Sequence, residues 1–311
     1  MTTLLFSSKG DNPELWRSRL AKHIPDLDFR IWPTDIGDKE EIEFALAWRP
    51  KLGELRNYPN LKAIFSLGAG VDHLMRDPNL PEGIPVVRLV DPALTRGMTE
   101  YVTHCVMHYP RGFHVYQARQ AENKWKQNRY PLPSERSVGI LGLGVLGSDA
   151  ANSLVGLGFD VAGWSRSEKN IEGAKCYFGQ DGLVPFLERT EILICLLPLT
   201  PETEGIINAE TLAHLPDGAF AINAARGAHI VDDDLLAALG SGKVAAATLD
   251  VFSPEPLAED HPYWSHPNVT VTPHIASLTN ATTAAGEIAA NIKRIQAGDP
   301  PLHIVDVKGG D

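Results

Sequence analysis

The stretch Ser137–Leu154, SVGILGLGVLGSDAANSL, decides the fold. Val138, Gly139, Ile140 and Leu141 form a short apolar run, too brief for a helix and suited to a buried parallel strand. Gly142, Gly144 and Gly147 then spell G-x-G-x-x-G, and a segment rich in Ala and Leu continues at once as a helix. Each glycine has a physical role in holding a dinucleotide. Gly142 permits the tight turn, Gly144 lets the backbone approach a pyrophosphate, and Gly147 lets helix and strand pack closely. The helix start adds free N–H groups and the positive end of its dipole. Glycine-rich turns are common; a strand before this one and a helix after it point to a nucleotide site.

Downstream, strands are expected at Asp160–Trp164, Ile192–Leu197, Ala219–Asn223, Ala246–Asp250 and Val269–Thr272. Helical segments separate several of them, at Leu183–Arg189, Ala209–His214 and Asp232–Leu239. With Val138–Leu141 this makes a six-stranded, doubly wound dinucleotide fold. Upstream, strands at Thr3–Phe6, Phe29–Trp32, Phe44–Trp48, Lys62–Leu67 and Val86–Val90, with a helix at Glu14–Lys22, indicate a smaller open α/β unit. One long helix is expected from Thr99 to Arg119. The polar, aromatic segment Gln120–Pro133 reads as an excursion or interface loop. A helix at Ala284–Ala297 and a strand at Leu302–Val307, of undetermined sheet, close the chain.

A chain of 311 residues accommodates one large or two medium domains. Its 39 acidic against 28 basic residues give a net charge of −11, which argues against nucleic acid or an anionic membrane surface as partner. No apolar run reaches the about 18 residues of a membrane span, and MTTLLFSSKG lacks the apolar core of a signal peptide. Cys105, Cys176 and Cys195 are scattered, with no C-x-x-C, which suits the cytoplasm and offers neither a disulfide nor a thiolate metal site. His104 and His108 are spaced to share a helix face, but no acidic third ligand accompanies them. No metal is expected.

Residues at the strand ends carry the chemistry, because ligands of open α/β sheets sit there. Trp48 and the Gly68-Ala69-Gly70 turn end two strands of the first unit, where the alternatives are a rim aromatic and a plain tight turn. After Asp160–Trp164 an NAD site would place an acid for the ribose hydroxyl. Ser165-Arg166-Ser167 stands there instead, and a guanidinium between two hydroxyls is a receptor for a 2′-phosphate. NADP(H) is therefore expected over NAD(H). Arg226, just past a buried strand, offers a planar fork for a 2-keto acid carboxylate. Glu255 lies between two prolines, and His274 follows Pro273 at another strand end. Singly, these three have plain explanations: a surface ion pair, a loop charge, a core histidine. On successive strand ends of one dinucleotide fold they read as a hydride-transfer site.

The segments AWRP, SLGAGVDH, SVGILGLGVLG, WSRS, LLPLTPETEGIIN, NAARGAHIVDDDLLAALGSGK, LDVFSPEPL and VTPHIAS run over nearly the whole chain. With them the sequence resembles the D-isomer-specific 2-hydroxyacid dehydrogenases, and within that family the branch that reduces glyoxylate and hydroxypyruvate with NADPH. The resemblance implies two Rossmann-like doubly wound domains, the dinucleotide-binding one (100–276) inserted into a flavodoxin-like substrate domain (1–99 and 277–311). It implies that Arg226, Glu255 and His274 are catalytic. His274 would protonate the carbonyl oxygen as hydride reaches the carbon; Glu255 would orient the ring and favour its protonated form. Arg226 would bind carboxylate and keto oxygen, with Trp48, Ala69 and Gly70 completing the substrate site. Asp250 would accept from the nicotinamide carboxamide, unless it only forms a turn. Val145 and Leu146 N–H groups, Thr203, Pro198 and Ala224 would add cofactor contacts, and Ser165–Ser167 depart from the acid of many members. A homodimer touching through Gln120–Pro133 is also implied. The competing readings are a dehydrogenase of the same family for a larger 2-keto acid, and a dinucleotide-gated binding protein like the C-terminal-binding corepressors.

Overall fold

All six residues of β1 (Thr2–Ser7) are buried, as a strand covered on both faces must be. It is an interior strand of a parallel sheet with β2 (Leu27–Ile31), β3 (Phe44–Ala47), β4 (Ala63–Ser66) and β5 (Val86–Val87), ordered β2-β1-β3-β4-β5. That is the flavodoxin-like arrangement. The computed structural model describes residues 1–305, and the chain divides into two compact units, Met1–Leu94 with Leu278 onward, and Thr95–Ser277.

In the first unit the helix Ala281–Gln296 buries Ala281, Ala284, Ala285, Ile288, Ala289 and Ile292, the stripe that helical periodicity demands. Asn280 caps it by accepting from Thr282 N at 2.9 Å. It packs against the helix Pro13–Leu20, and Gln296 donates to Thr2 Oγ1 at 2.9 Å. The expected strand at Leu302–Val307 is, within the described residues, a single antiparallel bridge of Ile304 to Val87 on the edge of this sheet. Asp306 and Val307 lie outside the described residues.

The second unit holds a parallel sheet of seven strands: β6 (Ser137–Leu141), β7 (Asp160–Ser165), β8 (Lys175–Phe178), β9 (Ile192–Cys195), β10 (Ala219–Asn223), β11 (Val244–Leu249) and β12 (Val269–Val271). Their order is β12-β11-β10-β9-β6-β7-β8, so the direction of winding reverses between β6 and β9. Strand periodicity sorts the two cores. Val138, Ile140, Ile192 and Ile194 face one layer with Ala150, Ala151 and Leu154, while Leu141, Leu193 and Cys195 face the other with Phe186, Leu235 and Leu239. Burial pushes the thiols of Cys105 and Cys195 up to about 12, which leaves them protonated and inert.

Two expectations are corrected here. Six strands are seven, because β8 escapes sequence reading: KCYF is short, ends the sheet, and exposes Lys175 and Phe178. The single helix expected over Thr99–Arg119 is two, Pro92–His108 and Phe113–Ala121. Pro92 opens the first, with Asp91 accepting from Ala93 N at 3.1 Å, and Gly112 at φ +67 starts the second. Among the described residues no helix is long and apolar enough to cross a membrane.

Candidate active site

The glycine turn lies at the end of β6, beside β9, where the winding reverses. Two of its glycines are required by the protein itself. Gly142 has φ +101, and a Cβ there would stand 2.8 Å from the Leu196 carbonyl; one on Gly147 would stand 1.8 Å from Gly142 O. A Cβ on Gly144, by contrast, would meet nothing within 4 Å. Gly144 stands at the N-cap of the helix Val145–Gly156, where no side chain caps the first-turn N–H groups, among them those of Val145 and Leu146. An uncapped helix start beside an open glycine is a fitting cradle for a pyrophosphate.

At the end of β7, Ser165 is buried and its Oγ donates to Ser167 O at 2.8 Å, folding the turn back on itself. Arg166 is thereby left exposed. The Glu202 carboxyl is held below its usual range by hydrogen bonds from Thr200 and its own backbone and, less strongly, by the charge of Arg166. Thr203 works inside its own loop: its Oγ1 accepts from Thr200 N at 2.8 Å and donates to Pro198 O at 2.7 Å.

The ends of β10, β11 and β12 bring the three expected catalytic residues onto adjacent loops. After β10, the Asn223 side chain ties the turn by accepting from Ala225 N (3.2 Å) and donating to Arg226 O (2.8 Å). Arg226 is half-buried, and its Nη1 donates to Ala225 O at 2.7 Å. A Cβ on Gly227 would lie 2.0 Å from the carbonyl carbon of Phe252, so this loop and the next touch backbone to backbone. Glu255 then turns inward. Its Oε1 accepts from Phe252 N at 3.1 Å, and both carboxylate oxygens lie 3.0 Å from His274 Nδ1. The carboxylate fixes the proton on Nδ1 and leaves Nε2 to face whatever the site holds.

Asp250, wholly buried, organises the segment that carries His274. Its Oδ1 accepts from Thr272 Oγ1 (2.5 Å) and Ile275 N (2.8 Å), its Oδ2 from Ala276 N (2.8 Å), and its carbonyl from His274 N (2.8 Å). Thr272 has one proton and gives it to Asp250, so the Tyr101 hydroxyl, 2.7 Å from Thr272 Oγ1, is the donor there. Burial raises the Tyr101 phenol, which keeps that proton in place. His274 itself sits at φ +55, a left-handed conformation unusual for a side chain with a Cβ. The three carboxylate bonds shape the Thr272–Ala276 turn.

Trp48, Ala69 and Gly70 belong to the first unit, at the ends of β3 and β4. A Cβ on Gly68 would be 2.9 Å from the Trp48 ring, and Ser66 Oγ donates to Gly70 O at 2.9 Å. Two residues of note escaped sequence reasoning. Arg49, next to Trp48, has φ +47. His229 is wholly buried behind Arg226. A histidine inside an otherwise apolar run, AHIV, was the only signal for the second.

Residues 103–276 match the model of the D-isomer specific 2-hydroxyacid dehydrogenase NAD binding domain. The chain is 44% identical over 309 residues to glyoxylate/hydroxypyruvate reductase A of Serratia proteamaculans, covering 98% of each. The chain belongs to the D-isomer specific 2-hydroxyacid dehydrogenases. Among solved members of that family, it is similar to one from Xanthobacter autotrophicus in complex with NADPH and MES, with a TM-score of 0.97, 45% identity, and coverage of 100% of this chain and 99% of that one. It is also similar to the NADPH-dependent glyoxylate/hydroxypyruvate reductase of Sinorhizobium meliloti, in complex with NADP and sulfate, at a TM-score of 0.93 and 37% identity over the full length of both.

The Asp250 network predicts the effect of one substitution. Thr272→Val removes a donor from a buried carboxylate and the acceptor of the Tyr101 hydroxyl. Such losses cost about 1–3 kcal/mol. Urea unfolding should therefore show a lower midpoint with an unchanged slope; an unshifted midpoint contradicts the network.

Proposed function

We propose that this protein is an NADPH-dependent reductase of small 2-keto acids, glyoxylate and hydroxypyruvate among them, forming the 2-hydroxy acids. The observation that carries the reading is the Glu255–His274 pair, both oxygens 3.0 Å from Nδ1, one loop away from Arg226. When bound, a reduced nicotinamide dinucleotide supplies the hydride. The chain does the rest. Arg226 holds the keto acid by its carboxylate through a planar fork. His274, with Nδ1 against Glu255, gives the Nε2 proton to the carbonyl oxygen, and Glu255 stabilises the imidazolium before the transfer. The N–H groups of Val145 and Leu146 and the open backbone of Gly144 hold the pyrophosphate. The inserted stretch around 95–277 acts as the dinucleotide domain, and the rest of the chain as the substrate domain.

Arg166 selects the cofactor in this account. It is exposed at the end of β7, where no carboxylate replaces it. A charge-assisted bond to a 2′-phosphate contributes about 1.5–3 kcal/mol, or about 10- to 100-fold in kcat/KM for NADPH over NADH. Steady-state rates with glyoxylate, hydroxypyruvate, pyruvate and phenylpyruvate, each with both reduced cofactors, test the whole reading. The two small acids with NADPH should lead. Arg166→Ala should erase most of the cofactor preference by raising KM for NADPH while NADH kinetics hold. Equal use of both cofactors by the wild type sinks the Arg166 argument. Phenylpyruvate as the best substrate replaces the small acids with larger ones, and tight NADPH binding without turnover of any keto acid makes the protein a dinucleotide-gated binder.

The active form is a homodimer in this reading. Phe113 and Leu132 are exposed by 55% and 65%, and Trp125 by 98%, which is a large apolar area to leave in water on one stretch of chain. Light scattering should give twice the chain mass, and Trp125→Glu should lower it; a monomeric wild type contradicts the dimer.

A further inference from the structure

His229 is a histidine with no place in the chemistry above, yet it is wholly buried between two loops of the site. Its Nδ1 lies 3.2 Å from Arg226 N and 3.1 Å from Arg226 O, and its Nε2 lies 3.2 Å from Pro198 O. The hydrogen-bond inventory decides which nitrogen carries the proton. Arg226 O already accepts from Asn223 Nδ2 at 2.8 Å and from His229 N at 3.2 Å, whereas the Arg226 N–H points at Nδ1 and needs an acceptor. Nδ1 is therefore the acceptor, and Nε2–H donates to Pro198 O. One neutral ring thus links two backbones.

Those backbones do different work. Pro198 lies just past β9, on the strand that faces the glycine turn across the reversal of winding, and Gly142 rests against Leu196 and Leu197. Pro198 O also accepts from Thr203 Oγ1, so the Pro198–Thr203 loop hangs on this carbonyl. Arg226 lies past β10, the next strand along. Farther along, the two segments meet backbone to backbone, Gly205 N donating to Ala228 O and Ile207 N to His229 O, both at 2.8 Å, and the imidazole adds a side-chain tie nearer the strand ends, between Pro198 and Arg226.

We propose that His229 is a positioning residue that ties the dinucleotide-side loop at Pro198 to the backbone of Arg226, with its two nitrogens serving the two sides separately. This rests on the roles assigned to those loops under the proposed function. A displacement of about 1 Å at a binding group costs about 100-fold at worst, so losing one of two tethers should cost about 10-fold in the parameter that side controls.

Two conservative variants separate the sides. In His229→Asn the amide oxygen stands where Nδ1 accepts from Arg226 N, while the reach to Pro198 is lost. In His229→Gln the amide nitrogen stands where Nε2 donates, while the acceptor for Arg226 is lost. The NADPH Kd, from nucleotide fluorescence without turnover, and the KM for glyoxylate at saturating NADPH are measured for each, with Tm as a check on folding. His229→Asn should weaken NADPH about 10-fold and keep KM for glyoxylate near wild type; His229→Gln should do the reverse. Wild-type values for both variants overturn the proposal, and so does an equal loss in both parameters, which is what a packing role alone produces. A wild type that turns over no keto acid while binding NADPH refutes the functional reading instead, and with it the Arg226 half of this one.

Discussion

Asp250 holds a carboxylate out of solvent at the end of β11, and the segment Thr272–Ala276 is folded around it. A buried charge is tolerated only where donors surround it, so those donors cannot drift. One consequence is the backbone of His274. Its left-handed φ of +55 costs about 1–2 kcal/mol, and the bonds from His274, Ile275 and Ala276 to Asp250 hold it there. The imidazole is thereby aimed at Glu255 by its backbone before any ligand arrives. Tyr101, on the helix Pro92–His108, backs the same network through Thr272, so that helix helps to aim the ring.

A second constraint is the closeness of backbones. Gly227 against Phe252, and Gly142 against Leu196 and Leu197, are contacts that no side chain could survive. They stack the loops leaving β6, β9, β10 and β11 without spacers. The order of the strands then sets the order of the proposed roles along the edge of the sheet: dinucleotide phosphates at β6, a further cofactor loop at β9, the carboxylate anchor at β10, and the acid–base pair at β11 and β12. His229 fits this scheme as a polar bridge from Pro198 to Arg226, beside the backbone bonds that join the same two loops farther along at Gly205–Ala228 and Ile207–His229.

The sequence was most legible where one local pattern carries the whole message. The glycine spacing at 142–147, the apolar runs of β6, β9 and β10, and the strand-end positions of Arg226, Glu255 and His274 all follow from residues close together in the chain. Illegible features depend on partners far apart. β8 is recognisable only by its pairing with β7, because its four residues end the sheet and both Lys175 and Phe178 are exposed. The break between Pro92–His108 and Phe113–Ala121 was written in Pro110 and Gly112, but the helical pattern continues in phase across it and hides it. The first of these helices starts at Pro92 and not at Thr99, because proline at a first helical position removes only an N–H that lacks a partner anyway. His229 and the Asp250 donors needed the folded backbone, since each bonds to main-chain atoms that no residue type announces.

The central claim is that Glu255 and His274 act as one unit, the carboxylate working only through the ring. A double-mutant cycle on kcat for glyoxylate reduction with NADPH measures this directly, using Glu255→Gln, His274→Ala and both together. General acid catalysis is worth about 10²–10⁴-fold, and residues that act as a unit are not additive. The account predicts that each single variant is slow and that the double variant is no slower than His274→Ala alone. Losses that multiply in the double variant would mean that Glu255 acts independently of the imidazole, and would contradict it.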